Sequence, residues 1–121
     1  MTTNFIHTTP VLPSSNIKRD IEWYEEKIGF KCSISKNDYT VLTRDNQWIH
    51  LQWHANTEGD PLNGGSVIKS FVFDIHPIFE EMLERGIVTK NKLRFNTPWN
   101  TNEFGFYDLN KNAIFFVADS D

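Results

Sequence analysis

The sequence predicts an α+β fold of two βαβββ modules, whose curled antiparallel sheets carry one helix each on the convex face. The main observation is an internal repeat, because the order strand, helix, three strands occurs twice within 121 residues. The two predicted helices end alike, at Gly29 and at Gly86. A hydrophobic fraction of 39%, with 14% aromatic residues, is typical of a globular chain. We therefore expect one domain over residues 1–121, with module one at 1–57 and module two at 66–121.

Module one is predicted from strand and helix patterns in order. Its helix spans residues 17–28, because apolar residues recur at helical spacing, Asn16 and the serines before it suit an N-cap, and Gly29 suits the C-terminal end. A loop at residues 55–65, rich in Gly, Asn and Asp, separates this module from the next. The strands are expected at residues 5–12, 30–36, 39–43 and 48–54.

Module two repeats the order with weaker signals. A helix is predicted over residues 77–85, ahead of Gly86. Residues 92–95 form a short strand in this interpretation, and the segment around Pro98 and Trp99 forms a loop. The remaining strands are expected at residues 67–74, 103–108 and 113–118.

Charge and composition exclude several classes of function. The net charge of −4 argues against a nucleic-acid or anionic-membrane surface, which would need clustered Lys and Arg. No apolar run is long enough to span a bilayer, and residues 1–10 lack the pattern of a secretory signal. Cys32 is the single cysteine and cannot form an internal disulfide. A reducing, cytoplasmic setting is expected.

Three segments carry a resemblance to a known family. Residues 23–30, Trp-Tyr-Glu-Glu-Lys-Ile-Gly-Phe, resemble the "FY…LGF" signature of glyoxalase/bleomycin resistance/dioxygenase (vicinal oxygen chelate) proteins. Residues 10–16 are similar to the "PxLPSxD" start of bleomycin resistance proteins in particular. Residues 103–112 resemble the "EFxxxDPDGN" hairpin, with Leu109 in place of proline and Lys111 in place of glycine. The resemblance covers nearly the whole chain and implies the fold predicted above.

Metal-dependent members of that family hold one divalent ion with ligands from four strands, and the ion stabilises an enediolate or activates oxygen. Carried over to this sequence, the four positions are Thr9, His50, Val67 and Phe115. Among these only His50 can bind a metal, and a transition-metal site ordinarily needs about three protein ligands. No metal and no other cofactor is therefore expected. His50 is more simply interpreted as a half-buried strand residue.

The alternation of side chains along the strands predicts an aromatic groove instead. If His50 faces the concave side, residues two positions away face it too, and the same rule applies to the strand from residue 67. Such a groove suits stacking against a flat organic ligand, although the rings could instead fill the sheet interior or a dimer interface. The predicted ligand-binding residues are Thr9, Trp48, His50, Gln52, Lys69, Phe71, Phe73, Trp99 and Phe115, with no catalytic residue among them.

The resemblance implies a metal-independent protein that sequesters a small organic ligand, such as a bleomycin-like or other aromatic antibiotic. It also implies a homodimer with ligand clefts at the interface, in which the first strand could be exchanged between subunits. Two alternatives stay open. The chain could be a metal-dependent lyase or dioxygenase that uses His50 with ligands such as His7 or Glu103. Alternatively, its groove could be filled by its own side chains, and the chain would then act as an interaction subunit.

Overall fold

A computed structural model of the chain describes residues 3–62 and 66–120. Residues 63–65, which belong to the predicted loop 55–65, lie outside this range, as do residues 1, 2 and 121. Strands and helices follow the predicted order for most of the chain. They are β1 (Val11–Ser14), α1 (Ile17–Ile28), β2 (Lys31–Lys36), β3 (Tyr39–Arg44), β4 (Gln47–Trp53), β5 (Val67–Phe71), α2 (Ile75–Glu84), β6 (Thr101–Tyr107) and β7 (Ala113–Asp119), with one turn of 3₁₀-helix at Lys90–Lys92.

The strands form two small sheets, each packed against one helix. Sheet one has the order β1-β4-β3-β2, and sheet two has the order β5-β7-β6. Both are mixed rather than antiparallel, because β1 pairs with β4 and β5 pairs with β7 in parallel. In module one the helix returns the chain before β2 begins, and two hairpins then bring β4 back to the direction of β1. The α+β fold of two strand–helix–strand modules is confirmed, with this correction to the sheets.

Helix α1 has the predicted bounds because its two ends are capped. The Asn16 side chain accepts a hydrogen bond from the Arg19 N–H, and Gly29 takes the left-handed conformation at the other end (φ 73°). Its buried residues include Tyr24 and Ile28, which belong to one core with Leu42 and residues of both modules. Neither helix in the described ranges is long and apolar enough to cross a membrane.

Several predicted elements differ from the structure, including strand β6, which begins at Thr101 rather than at residue 103. The first strand is Val11–Ser14 rather than residues 5–12, since only this segment pairs with β4. Strand β5 ends at Phe71, three residues before its predicted end. Helix α2 begins at Ile75 because Asp74 caps it, so Pro77 lies in its first turn, where a missing N–H is tolerated. Residues 92–95 form no strand and make one isolated bridge, Arg94 with Glu103.

Buried polar side chains connect the two modules. Asp20 of α1 is 1% exposed and accepts hydrogen bonds from Ser14 and from Asn110, which lies in the turn between β6 and β7. The Tyr24 hydroxyl donates to Asp108 of the same turn at 2.6 Å. Burial, reinforced by the charge of Asp108, raises the pKa of Tyr24 well above its usual value, so this hydroxyl stays a donor. These bonds fix α1 against the β6–β7 turn.

Candidate ligand-binding face

Each sheet has one face packed on its helix and an opposite face, which we call the open face. On sheet two the residues packed toward the core include Phe104, Ile114 and Phe116. Side chains alternate along strands, so the open face carries the residues between them. Strand pairing places Lys69, Phe115 and Gly105 in one row across this face, and Phe71, Val117 and Glu103 in the next.

Gly105 makes room for the Phe115 ring. A Cβ atom at position 105 would lie only 2.5 Å from Cδ1 of Phe115 and 2.6 Å from Cε1. The Phe115 ring therefore occupies the space beside Gly105 that a side chain at this position would fill. This places an aromatic surface at the centre of the open face.

Trp99 and Glu103 form the polar part of the same face. The Trp99 indole N–H donates to Glu103 Oε1 at 2.9 Å, and the Glu103 side chain is almost completely buried. The Lys69 ammonium lies 3.7 Å from Glu103 Oε2, 5.6 Å from the centre of the Trp99 ring and 5.7 Å from that of Phe115. Both ring distances suit a cation–π interaction. We call Trp99, Glu103 and Phe115 the cage. The Lys69 ammonium lies within it.

The open face of sheet one has a different character. His50 lies in a row with Val11, Val41 and Ile34, and its Nδ1 is 2.7 Å from the Tyr39 hydroxyl. This hydrogen bond orients the imidazole and leaves Nε2 without a hydrogen bond to any described residue. Val11 and Ile34 are 45% and 61% exposed, so apolar side chains open to solvent flank His50 in this row.

A cavity of about 530 Å³ lies where the N-terminal arm, residues 6–10, passes between the sheets. Thr9, Trp48 and Lys69 of the predicted site line it. Trp48 is half exposed, and the His7 ring lies 6.4 Å from it. The remaining lining comes from the arm, Phe30, and residues 46–49 and 68–70.

The structure thus divides the predicted binding residues into groups. Lys69 is common to the cavity and the cage, while His50 and the exposed Gln52 belong to the open face of sheet one. Phe71 is 69% exposed, and Phe73 lies beyond the end of β5, fully exposed. The role of all these residues in ligand binding stays a prediction.

Two polar partners were not predicted as binding residues. Tyr39 supports His50, and Glu103 supports Trp99. In the sequence interpretation Glu103 was only an alternative metal ligand. The sequence did carry a signal for Glu103. It shares one face of its strand with Thr101 and Gly105, and a carboxylate on such a face must either be exposed or have a polar partner.

The described residues form no cluster that fits a metal ion. Within residues 3–62 and 66–120, no three His, Cys, Asp or Glu side chains converge in a way that could hold one. The positions carried over from the family offer a hydroxyl at Thr9 and hydrocarbon at Val67 and Phe115. Among the described residues, the ligand set of the metal-dependent relatives is therefore not found.

Comparison with solved structures shows which fold this is. The structure superimposes on a bleomycin resistance determinant encoded on transposon Tn5 with a TM-score of 0.79, at 16% identity, covering 95% of this chain and 98% of that one. It superimposes on the bleomycin-binding protein of Streptomyces verticillus, complexed with copper(II)-bleomycin, with a TM-score of 0.77, at 17% identity, covering 98% and 100%. The fold is that of glyoxalase/bleomycin resistance proteins.

The sequence comparison agrees with the fold. The chain is 26% identical over 128 aligned positions to the bleomycin resistance proteins of Geobacillus stearothermophilus and Staphylococcus aureus, covering 92% of this chain and 95% of theirs. No family model matches it. The resemblance to bleomycin resistance proteins that the sequence motifs indicated is therefore confirmed.

Proposed function

We propose that the protein binds a bleomycin-like or other flat, aromatic organic molecule and sequesters it without changing a covalent bond. The observation that carries the proposal is the similarity to bleomycin resistance proteins, which extends over 92% of the chain. Half-exposed Trp48 and Trp99 support it, because exposed indole rings beside polar groups suit stacking on a flat ligand. The cavity of about 530 Å³ beside Trp48 has the size of a small-molecule site.

Titration of the purified protein with metal-free bleomycin and with copper(II)-bleomycin tests this proposal. We expect saturable binding by calorimetry, quenching of tryptophan fluorescence, and a ligand of unchanged mass after release. Trp48→Ala or Trp99→Ala should weaken binding at least about fivefold, since a stacked ring contributes roughly 1 kcal/mol beyond its buried area. Trp53→Ala is the matched control, because Trp53 is 41% exposed but lies outside the proposed site. Failure of both bleomycin forms to bind would refute the bleomycin-like ligand.

We further propose that binding needs no metal. The absence of a converging ligand set among the described residues supports this. Protein purified without chelators or affinity metals should hold less than about a tenth of an equivalent of metal, unchanged in His50→Ala. Near one equivalent of iron, manganese, nickel or zinc that disappears in the variant would instead favour the metal-dependent lyase or dioxygenase.

Two further parts of the proposal concern the partner subunit and the compartment. A homodimer is supported by the exposed apolar side chains on both open faces, and its test is argued in the Discussion. A cytoplasmic setting is supported by Cys32, a half-buried free thiol that suits a reducing environment. Fractionation of cells that produce the protein, with detection by antibody, should recover it with cytoplasmic markers; recovery outside the cell would contradict this.

A further inference from the structure

One side chain on the open face of sheet two is incompletely paired. Glu103 is 1% exposed, and its Oε1 accepts the Trp99 indole N–H. Its Oε2 is buried and accepts no hydrogen bond from the described part of the chain. A buried carboxylate oxygen without a donor costs free energy, and such atoms are rare in folded proteins. An additional donor is therefore expected at this position.

Lys69 approaches Oε2 without reaching hydrogen-bonding distance. Its ammonium stops 3.7 Å away, because Lys69 extends from β5 while Glu103 is on β6, with β7 between them. Two strand spacings are about 9.5 Å, which a lysine side chain must cross before its ammonium can donate a hydrogen bond. Its side chain is 38% exposed, so it can leave for solvent without crossing packed protein.

The surroundings of this ammonium are those of a cation-binding site. One carboxylate and two aromatic rings surround it, at 3.7, 5.6 and 5.7 Å. Rings attract cations through the negative potential of their faces, and more strongly when the cation is partly desolvated. Arg94 lies 5.7 Å from the Trp99 ring as well.

We propose that Trp99, Glu103 and Phe115 bind the ammonium or amidinium group of an organic ligand, and that Lys69 occupies this cage in the free protein. An incoming cation with a free N–H completes the hydrogen bonding of Glu103 Oε2 and displaces Lys69 from the cage. The exchange leaves the charge of the site unchanged. The inference deepens the proposed function, on which it rests for placing the ligand on this face.

Benzylammonium is the probe, and neutral benzyl alcohol is its matched control. Lys69→Met removes the competing ammonium while keeping the alkyl chain, so we expect benzylammonium to bind about tenfold more tightly than to the unaltered protein. Adding Glu103→Gln should abolish that gain, although the amide oxygen of the new side chain can still accept the Trp99 N–H. Lys36→Met removes an exposed lysine from another strand and controls for net charge. Calorimetry measures affinity, and near-ultraviolet circular dichroism confirms folding.

Lys69→Gln is the second variant, in case Lys69→Met does not fold; it also lacks the ammonium and should tighten binding. The proposal is overturned if benzylammonium binds the Lys69 variants no more tightly than the unaltered protein, or if benzyl alcohol gains equally. Bleomycin binding, measured separately, distinguishes the two failures. A protein that binds bleomycin but shows no Lys69 effect keeps the proposed function and loses the cation site. A protein that shows the Lys69 effect but does not bind bleomycin keeps the cation site and loses the proposed function.

Discussion

Phe115 depends on the absence of a side chain at Gly105. A methyl group there would lie within 3 Å of three ring atoms, so Gly105→Ala must displace the ring or shift β6. We expect a loss of about 1–3 kcal/mol in the free energy of unfolding, the usual cost of overpacking, measured by urea denaturation. Gly59→Ala is the control, because nothing lies within 4 Å of its added Cβ. An equal effect of the two substitutions would contradict the packing argument.

The residues of the candidate site were predictable to different degrees. Lys69 and Phe115 share a row of the open face, as alternation along the strands required. Trp99 reaches them from a loop, through its bond to Glu103, and no periodic pattern encodes such a contact. The burial of Glu103 also depends on what covers its strand, which is a tertiary property. Strand periodicity predicts which face of the sheet a side chain lies on. Which residues it contacts there depends on tertiary packing.

Helix α2 is tied to module one through Glu81. Both carboxylate oxygens accept from Arg44 at the end of β3, at 2.7 and 2.6 Å, and Arg44 also donates to the Ile28 carbonyl at the end of α1. Arg85 donates to Glu81 at 2.8 Å. The hydrogen bonds from Arg44, followed by the one from Arg85, lower the pKa of Glu81 below its usual value. One carboxylate thus joins three elements of both modules.

This link makes stability depend on pH. Because the pKa of Glu81 is lower in the folded chain, its contribution is present above the unfolded value, about 4.3, and is lost as the pH falls through the folded value. Glu81→Gln should cost about 1 kcal/mol near pH 7, a modest figure because water screens this partly exposed pair. The difference from the unaltered protein should shrink below about pH 4.

Thermal unfolding of Glu81→Gln and Glu80→Gln between pH 3 and pH 7 checks this expectation. Glu80 is the neighbouring, exposed glutamate, and no ion pair is found for it within the described ranges. Its substitution should change the melting temperature little. A Glu81→Gln deficit that stays constant down to pH 3 would show that the carboxylate charge does not stabilise the fold.

The elements of the fold were predicted where their signals are local. Helix α1 has its cap residue, its apolar stripe and its terminal glycine within fourteen positions, and its bounds are as predicted. Strand β1 was misplaced because Pro13 suggested an end. In the structure Pro13 lies within this edge strand, where an N–H is not needed on the outer side. Parallel pairing with β4 joins residues about forty positions apart, beyond the reach of a local pattern.

At the scale of the whole molecule, apolar side chains are unevenly distributed. The helices cover one face of each sheet, while the open faces expose Val11, Ile34, Val67 and Phe71. Each of these is 45% exposed or more. Exposed apolar residues scattered singly are ordinary, but aligned rows on two neighbouring sheets are typical of surfaces that another chain covers. The apolar faces of the helices are thus buried within one chain, while one face of each sheet is left partly uncovered.

If a second copy covers the open faces, charge placed there should separate the subunits. We expect sedimentation equilibrium to give twice the mass of one chain for the unaltered protein and the mass of one chain for Val11→Glu or Phe71→Glu. A buried, unpaired carboxylate costs several kcal/mol, enough to dissociate a dimer of micromolar affinity at working concentrations. Leu109→Glu is the matched control, since Leu109 is 48% exposed but lies in the β6–β7 turn, away from the open faces. A single-chain mass for the unaltered protein would place any ligand on one subunit alone, and the cage of Trp99, Glu103 and Phe115 would then have to bind without a partner.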